Sequence, residues 1–503
     1  MRTLDADVII VGAGPTGLML AGELRLAGIR PVVLERRPQR QETPKASGLG
    51  GQVLELLNYR GMLEKVTAAC TDPIPAPRFP FGGVHVDLTR LPDPPLHAIP
   101  LPQARLEQLL DERARELGAD VRREHEVLAV EQDQDAVTAE VRGPDGTYQV
   151  SARYLVGCDG PRSRVRELAG IEFPGISYPE VNRLAMATLP DEVTMLDNGD
   201  LEVAGVGRIA AGFTRTDTGV FAFGMLSGGE LSLFTNEDEY TEYDDNVPMT
   251  VDEFKASIRR VLGTDLPLGE PRRLSRFTFH ARQAAQYRAG RVLVAGDAAH
   301  LFPATGIAIN AGMMDAANLA WKLAGAVDGW APDGLLDSYD VERRHAGERT
   351  LLHTQAQVAL RRGLDPAAEA LRSVFQEVLA DEQPARRIGA MIAGADIRYP
   401  TVGEHPLAGT FAPNLDLLTD QGSTSVAELM RTARPVFLDL AGRAELSEIA
   451  QEYAVAVHTA KTDDRPADAV LIRPDGVVAW ATATDDAGLR ESLARWFGTT
   501  QLS

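Results

Sequence analysis

A glycine-rich turn between a β-branched strand and a helix is the feature that most restricts what this chain can fold into. Asp7-Val8-Ile9-Ile10-Val11 reads as a buried strand, Gly12-Ala13-Gly14-Pro15-Thr16-Gly17 as the turn and Leu18 to Ala27 as an amphipathic helix. Glycines in such a turn permit tight reversal and close backbone approach, and the N–H groups left open at the helix start attract a pyrophosphate. The strand that follows, Arg30 to Leu34, delivers Glu35, whose carboxylate can accept hydrogen bonds from both hydroxyls of a ribose. A turn joining any strand to any helix is the plainer explanation. The succession of strand, turn, helix, strand and acid favours a dinucleotide whose adenosine ribose carries no 2′-phosphate.

Two more segments follow in fixed order. Cys158-Asp159-Gly160 stands ahead of Arg162, Ser163, Val165 and Arg166. Later, Arg291 to Ala295 reads as a strand, Gly296 as a close turn and Asp297 as a carboxylate placed to bind a sugar-alcohol hydroxyl. Capping of the following helix would explain Asp297 equally well. Beyond Pro303 and Gly306 a helix is expected from Asn310 to Ala324, its positive end facing an electron-rich ring.

These segments, with Leu20 to Gly28, Tyr154 to Gly160 and Asn318 to Leu323, resemble the single-component class A flavoprotein monooxygenases of the para-hydroxybenzoate hydroxylase fold. The likeness is greatest to the aromatic polyketide hydroxylases of actinomycete antibiotic pathways, such as those acting on angucyclines and anthracyclines. It implies an α/β fold with three parts: a Rossmann-like FAD-binding domain assembled from separated segments, a β-sheet substrate domain and a C-terminal thioredoxin-like domain. It also implies FAD, with Gly12, Gly14, Pro15, Thr16 and Gly17 about the pyrophosphate, and Glu35 and Arg36 by the ribose. Gln103 would lie near the ribityl and pyrophosphate groups, Asp297 on the ribityl chain, and Asp159-Gly160 with Arg162 in a segment linked to both FAD and NADPH. Lys45 and Gln52 occupy the places of two family arginines; lysine keeps the charge but loses the planar fork that grips a phosphate. Pro303, Gly306, Ile307, Ala308, Ile309 and Asn310 would line the flavin ring, where many relatives carry Gly-Gly-Gln-Gly-Met/Leu-Asn. Only Gly306 and Asn310 keep that pattern.

The implied reaction uses NADPH, or NADH, to reduce FAD. A flavin hydroperoxide then passes one oxygen atom from dioxygen to a small polycyclic aromatic, phenolic substrate. Baeyer–Villiger oxygenation, inactivation of an antibiotic and a non-oxygenating role on a polyketide are alternatives on the same fold. No general base is named. His85, Phe279, His280, Arg282 and Tyr287 lie in segments that can face a cavity, but a lone His or Arg in a strand is more often structural. His300 is expected to make a satisfied polar contact near a strand end.

A chain of 503 residues, 44% hydrophobic, can bury a large core and form two or three domains. Its formal net charge of −21 argues against nucleic-acid or anionic-membrane partners. No signal-like or membrane-spanning apolar run is evident, and two cysteines, Cys70 and Cys158, suggest neither a disulfide scaffold nor a metal cluster. A reducing cytoplasm and a monomer or homodimer are expected.

The expected divisions are residues 1–178 and 276–395 for the two parts of the FAD-binding domain, 179–275 for the substrate sheet and 396–503 for the thioredoxin-like domain. Alternation in Val203 to Leu226 and Leu274 to Gln283 predicts antiparallel strands. The prolines of residues 73–80 and 92–102 predict loops or sheet edges. Asn236-Glu237-Asp238-Glu239 with Asp244-Asp245 reads as a solvated acidic surface. A helical stretch is expected from about Leu335 to Met391. Strands near Pro435, Tyr453 and Ala469 and a helix from Asp485 to Trp496 close the chain, and without a Cys-x-x-Cys the last domain has no dithiol chemistry.

Overall fold

Val8–Val11 carries only β-branched apolar side chains and is buried along its length, which suits a strand covered on both faces. In the computed structural model, which describes residues 4–40, 48–70, 78–210, 212–225, 230–238, 247–303, 307–484 and 486–498, it lies inside a six-stranded sheet. Tyr154–Gly157 and Pro31–Glu35 flank it in parallel, Val292–Val294 and Asp120–Arg123 extend the parallel set, and Arg288–Ala289 adds an antiparallel edge. Strands far apart in sequence thus become neighbours. The helices Pro15–Leu26, Gln103–Glu116 and Ile307–Asp328 pack on one face through Leu20, Leu24, Leu109 and Leu319. A three-stranded antiparallel sheet of Glu126–Gln132, Val137–Gly143 and Gly146–Ala152 covers the other through Val137, Ala139 and Val141.

A second six-stranded sheet is antiparallel throughout. Its strands run in the order Gly212–Thr216, Gly219–Met225, Glu230–Asp238, Gly175–Thr188, Pro271–Gln283 and His300–Leu301. The two long strands, Gly175–Thr188 and Pro271–Gln283, continue through residues 178 and 275, because their ladder carries the sheet down to the FAD-domain turn at His300. Helix Val251–Leu262 seals one face with Phe254, Ile258 and Val261.

The acidic run is a solvated surface only in part where it is described, since Asp238 is exposed but its two predecessors are not. Asn236 and Glu237 are buried in Glu230–Asp238, and Glu237 accepts from Arg183, Arg260 and Ser257. Three positive or polar donors on adjoining elements offset its desolvation, which composition alone does not reveal. Glu239, Asp244 and Asp245 lie outside the described residues. Pro80 falls in Arg78–Phe81, one strand of a two-stranded ribbon, where a missing donor is tolerated.

The C-terminal part is a four-stranded sheet, Ala456–Thr459, Val436–Asp439, Ala469–Ile472 and Val478–Thr482, with only the first pair parallel. Helices Ala444–Gln451 and Leu489–Phe497 complete this thioredoxin-like arrangement. Buried charged groups help fasten it to the FAD-binding domain. Arg60 pairs with Glu23 at 2.7 Å and donates to the carbonyls of Met430 and Pro474. Arg473 forks onto Glu342, which Lys322 and Asn318 also contact. No described helix is long and apolar enough to cross a membrane.

Candidate functional site

The three segments meet at one end of the parallel sheet. Gly12 has φ +106°, and a β-carbon there would overlap the carbonyl oxygen of Cys158. A β-carbon on Gly17 would overlap the carbonyl of Gly12, so the turn is closed against itself and against the second segment. Gly14 differs: its φ is −80° and its open side meets nothing within 4 Å. It is the N-cap of Pro15–Leu26, has no capping side chain, and Pro15 opens the helix. Open space beside uncapped amides is what a pyrophosphate needs. Thr16 joins the third segment, since a β-carbon on Gly296 would stand 2.6 Å from its Oγ1 and one on Gly312 would overlap it.

Glu35 ends its strand half-buried, with Oε2 accepting from the Ala13 amide and Oε1 from the Arg37 amide, each at 2.9 Å. Each oxygen keeps a second lone pair for a ribose hydroxyl. Arg36 is exposed beside it. Gln103 is the first residue of Gln103–Glu116 and donates to Glu107 at 2.8 Å. Burial pushes the Glu107 carboxyl above its ordinary value, against the pull of Gln103 and Arg123.

Asp159 turns inward. Its Oδ1 accepts from Ser163 at 2.5 Å and its Oδ2 from the Val165 amide at 3.1 Å, which fixes the start of Arg164–Leu168. Burial raises its carboxyl above the usual range against those bonds. Asp297 is half-buried in the single turn Gly296–Ala298, whose first residue, Gly296, lies against Thr16. Pro303 is buried, and Lys45 and Gly306 lie outside the described residues. Ile307, Ala308, Ile309 and Asn310 form the first turn of Ile307–Asp328, so the helix starts earlier than the expected Asn310. No glycine or proline interrupts those four residues, and Ile307 is buried.

A buried carboxylate supports this turn from below. Asp315 Oδ2 accepts from the Gly296 amide at 2.9 Å and meets His300 Nε2 at 2.7 Å, while Oδ1 takes Arg343 Nε at 2.6 Å. Burial alone would raise its pKa; Arg343 and His300 hold it below the ordinary carboxylate value. His300 thus makes the polar contact expected of it. Sequence reasoning does not single out Asp315 or Arg343, although Asp315 is the sole charge between Ile307 and Trp321, which is a readable signal. Among the candidate cavity residues, Tyr287 is fully buried against Tyr339 and Gln283, and His85 is exposed on a ribbon bonded to Gln376. His280 and Arg282 both bond Ser177, whereas Phe279 packs edge-on to Phe277.

Comparison with known proteins agrees with this geometry. Residues 5–354 match the family described as FAD binding domain, and residues 405–500 match the family described as aromatic-ring hydroxylase, C-terminal. The chain is 39% identical to the 12-dehydrotetracycline 5-monooxygenase/anhydrotetracycline 6-monooxygenase of Streptomyces rimosus over 98% of its length and 99% of the relative. It is 37% identical to the dialkyldecalin synthase of Streptomyces rugosporus, again over 98% and 99%. The crystal structure of CabE, an aromatic hydroxylase from angucycline biosynthesis, superposes with a TM-score of 0.89 at 38% identity, over 99% of this chain and 100% of that one. The chain therefore belongs to the FAD-binding-domain family of flavoprotein monooxygenases, in the branch that carries the aromatic-ring hydroxylase C-terminal domain.

Proposed function

We propose that this monooxygenase uses NADPH or NADH and dioxygen to place one oxygen atom on a polycyclic, phenolic polyketide, releasing water and the oxidised nicotinamide. The observation that carries the reading is the meeting of three distant segments, Gly12 against Cys158 and Thr16 against Gly296, around an open, uncapped helix start. When bound, FAD supplies the acceptance of hydride and the activation of dioxygen. The chain's own residues have narrower tasks. The amides about Gly14 hold the pyrophosphate, Glu35 the adenosine ribose and Asp297 the ribityl hydroxyls. Pro303 and the turn Ile307–Asn310 border the ring and keep water from it. The tetracycline and angucycline enzymes among the relatives support a flat substrate of several fused rings.

The test is nicotinamide oxidation by the FAD-loaded enzyme, with and without a panel of polycyclic phenols, followed by product mass under labelled dioxygen. A gain of one labelled oxygen atom is expected; its absence from every product would overturn the reading. A second reading draws on the similarity to a dialkyldecalin synthase, in which the FAD-bound chain rearranges a polyketide without oxygen. Products isomeric with their substrate, formed without nicotinamide, would select it.

A further inference from the structure

We propose that the open face of the antiparallel sheet carries a recognition site, built by Arg273 and Ser275, for an acidic oxygen of the substrate, a carboxylate or an enolised 1,3-dicarbonyl. The inference rests on the reading above and narrows its substrate class.

Side chains alternate across a strand, so register fixes which residues share a face. Ala185, Phe221, Leu231 and Leu233 pack on Phe254 and Ile258 and form the sealed face. The opposite face shows half-buried Leu184, Met186, Phe213, Phe234 and Phe277, with Arg273 and Ser275 along one strand beside them. It looks toward the FAD-binding domain. Phe277 meets Phe279, which lies 4.9 Å below the guanidinium of Arg361 on Ser338–Arg362, and that helix also carries Arg343 beneath the Gly296 turn.

Arg273 is unlike the other arginines of its strand. Arg272 pairs with Glu230 at 2.7 Å, Arg276 with Glu253 at 2.5 Å, and Arg282 donates to the Phe173 carbonyl. Among the described residues Arg273 reaches only the Met186 sulfur, at 4.0 Å, a poor acceptor. Its buried Nε has no partner among the described residues, and neither has the buried Ser275 hydroxyl two residues along the same face. Burial lowers the Arg273 pKa with no carboxylate to offset it. A guanidinium stays charged, and a desolvated one without an acceptor costs free energy that an incoming anionic oxygen would recover. Apolar side chains seat the fused rings, and the two donors select a ring edge that bears an acid.

Two isosteric probes test this: anthraquinone-2-carboxylate and 2-(hydroxymethyl)anthraquinone, each dialysed to equilibrium against the FAD-loaded enzyme. The carboxylate is expected to bind about tenfold or more tighter, the yield of a charged hydrogen bond. Arg273→Gln erases that preference and leaves the alcohol within about twofold, Arg273→Lys keeps part of it and Ser275→Ala lowers it less. FAD content and melting temperature establish that each variant is folded. Equal binding of the two probes, no binding of either, or a preference that survives Arg273→Gln overturns the proposal. An enzyme that oxygenates phenols yet shows no preference loses this inference alone; one that keeps the preference without oxygenating loses only the reaction assigned above.

Discussion

Asp315 accepts the amide of Gly296 at 2.9 Å, and the residue after that glycine is Asp297. The carboxylate on one helix thus sets the turn that presents the other carboxylate. Asp315 is fully buried and is matched by Arg343 at 2.6 Å, itself bonded to Tyr399 and the Ala311 carbonyl. Asp315→Ala leaves that guanidinium buried without its anion and should cost about 3–5 kcal/mol, read from urea unfolding of the flavin-free protein. Its pKa is held below the unfolded value, so the stability it supplies is present above the unfolded pKa and lost as pH falls through the folded one. Unchanged stability in the alanine variant would show that the turn is held by other contacts.

Gly12 and Gly14 should respond in opposite ways to the same methyl group. At Gly12 the positive φ and the Cys158 carbonyl leave no room, so Gly12→Ala should lower stability by several times RT or prevent folding. At Gly14 the chain accepts alanine, and the flavin-free protein should keep its unfolding free energy within about 0.5 kcal/mol. The added carbon occupies the space beside the open amides. FAD should therefore bind at least about tenfold more weakly to Gly14→Ala, a loss near 1.4 kcal/mol measured by fluorescence titration. Wild-type affinity in that variant would remove Gly14 from the pyrophosphate site.

Much of the fold and half of the candidate site were readable because they depend on short-range pattern. The run Asp7 to Val11 could only be a buried strand, and the turn at Gly12 and the position of Glu35 follow from local backbone demands. The alternation of Leu274 to Gln283 likewise predicted a strand of the observed sheet. What escaped depends on partners far away in the chain. Glu237 reads as surface until Arg183 and Arg260 are brought to it from other elements. Asp315 gains its role from Arg343 and Gly296, and Arg273 is notable only because its neighbours on the strand find carboxylates while it does not. Charge pairing across elements has no period in the sequence.

Glu342 should hold the C-terminal domain to the rest of the protein. It takes two bonds from Arg473, at 2.5 and 2.8 Å, and one from Lys322 at 2.7 Å, with Asp475 and Asn318 completing a buried cluster. Arg473 and Lys322 hold its carboxyl well below the ordinary range despite burial. Glu342→Gln leaves two cations facing one remaining carboxylate, at an expected cost of about 3–5 kcal/mol. Calorimetry should show a lower melting temperature. An unaltered transition would mean that other contacts, such as Trp321 with Trp496 and Arg60 with the Met430 and Pro474 carbonyls, hold the interface without it.

His353 gives the protein a pH dependence of opposite origin to that of the carboxylates. It is 3% exposed, and its Nδ1 lies 3.4 Å from Gln357 Nε2, so the ring accepts there, a role open only to neutral imidazole. Burial pushes its pKa down to about 4, with Arg349 acting the same way and Asp396 opposing. The unfolded chain takes up a proton near pH 6.5 that the native chain refuses until pH falls much further. Stability is therefore full above the unfolded pKa and declines as pH drops from there toward the folded one. Linkage puts the loss at about 2 kcal/mol between about pH 7 and about pH 5. His353→Gln removes the titrating group, so the difference between its urea-unfolding free energies at those two pH values should be smaller than the wild-type difference by that amount. Equal differences in the two proteins would mean that the native ring takes up its proton at the same pH as the unfolded one, and the contact with Gln357 would then have to be broken.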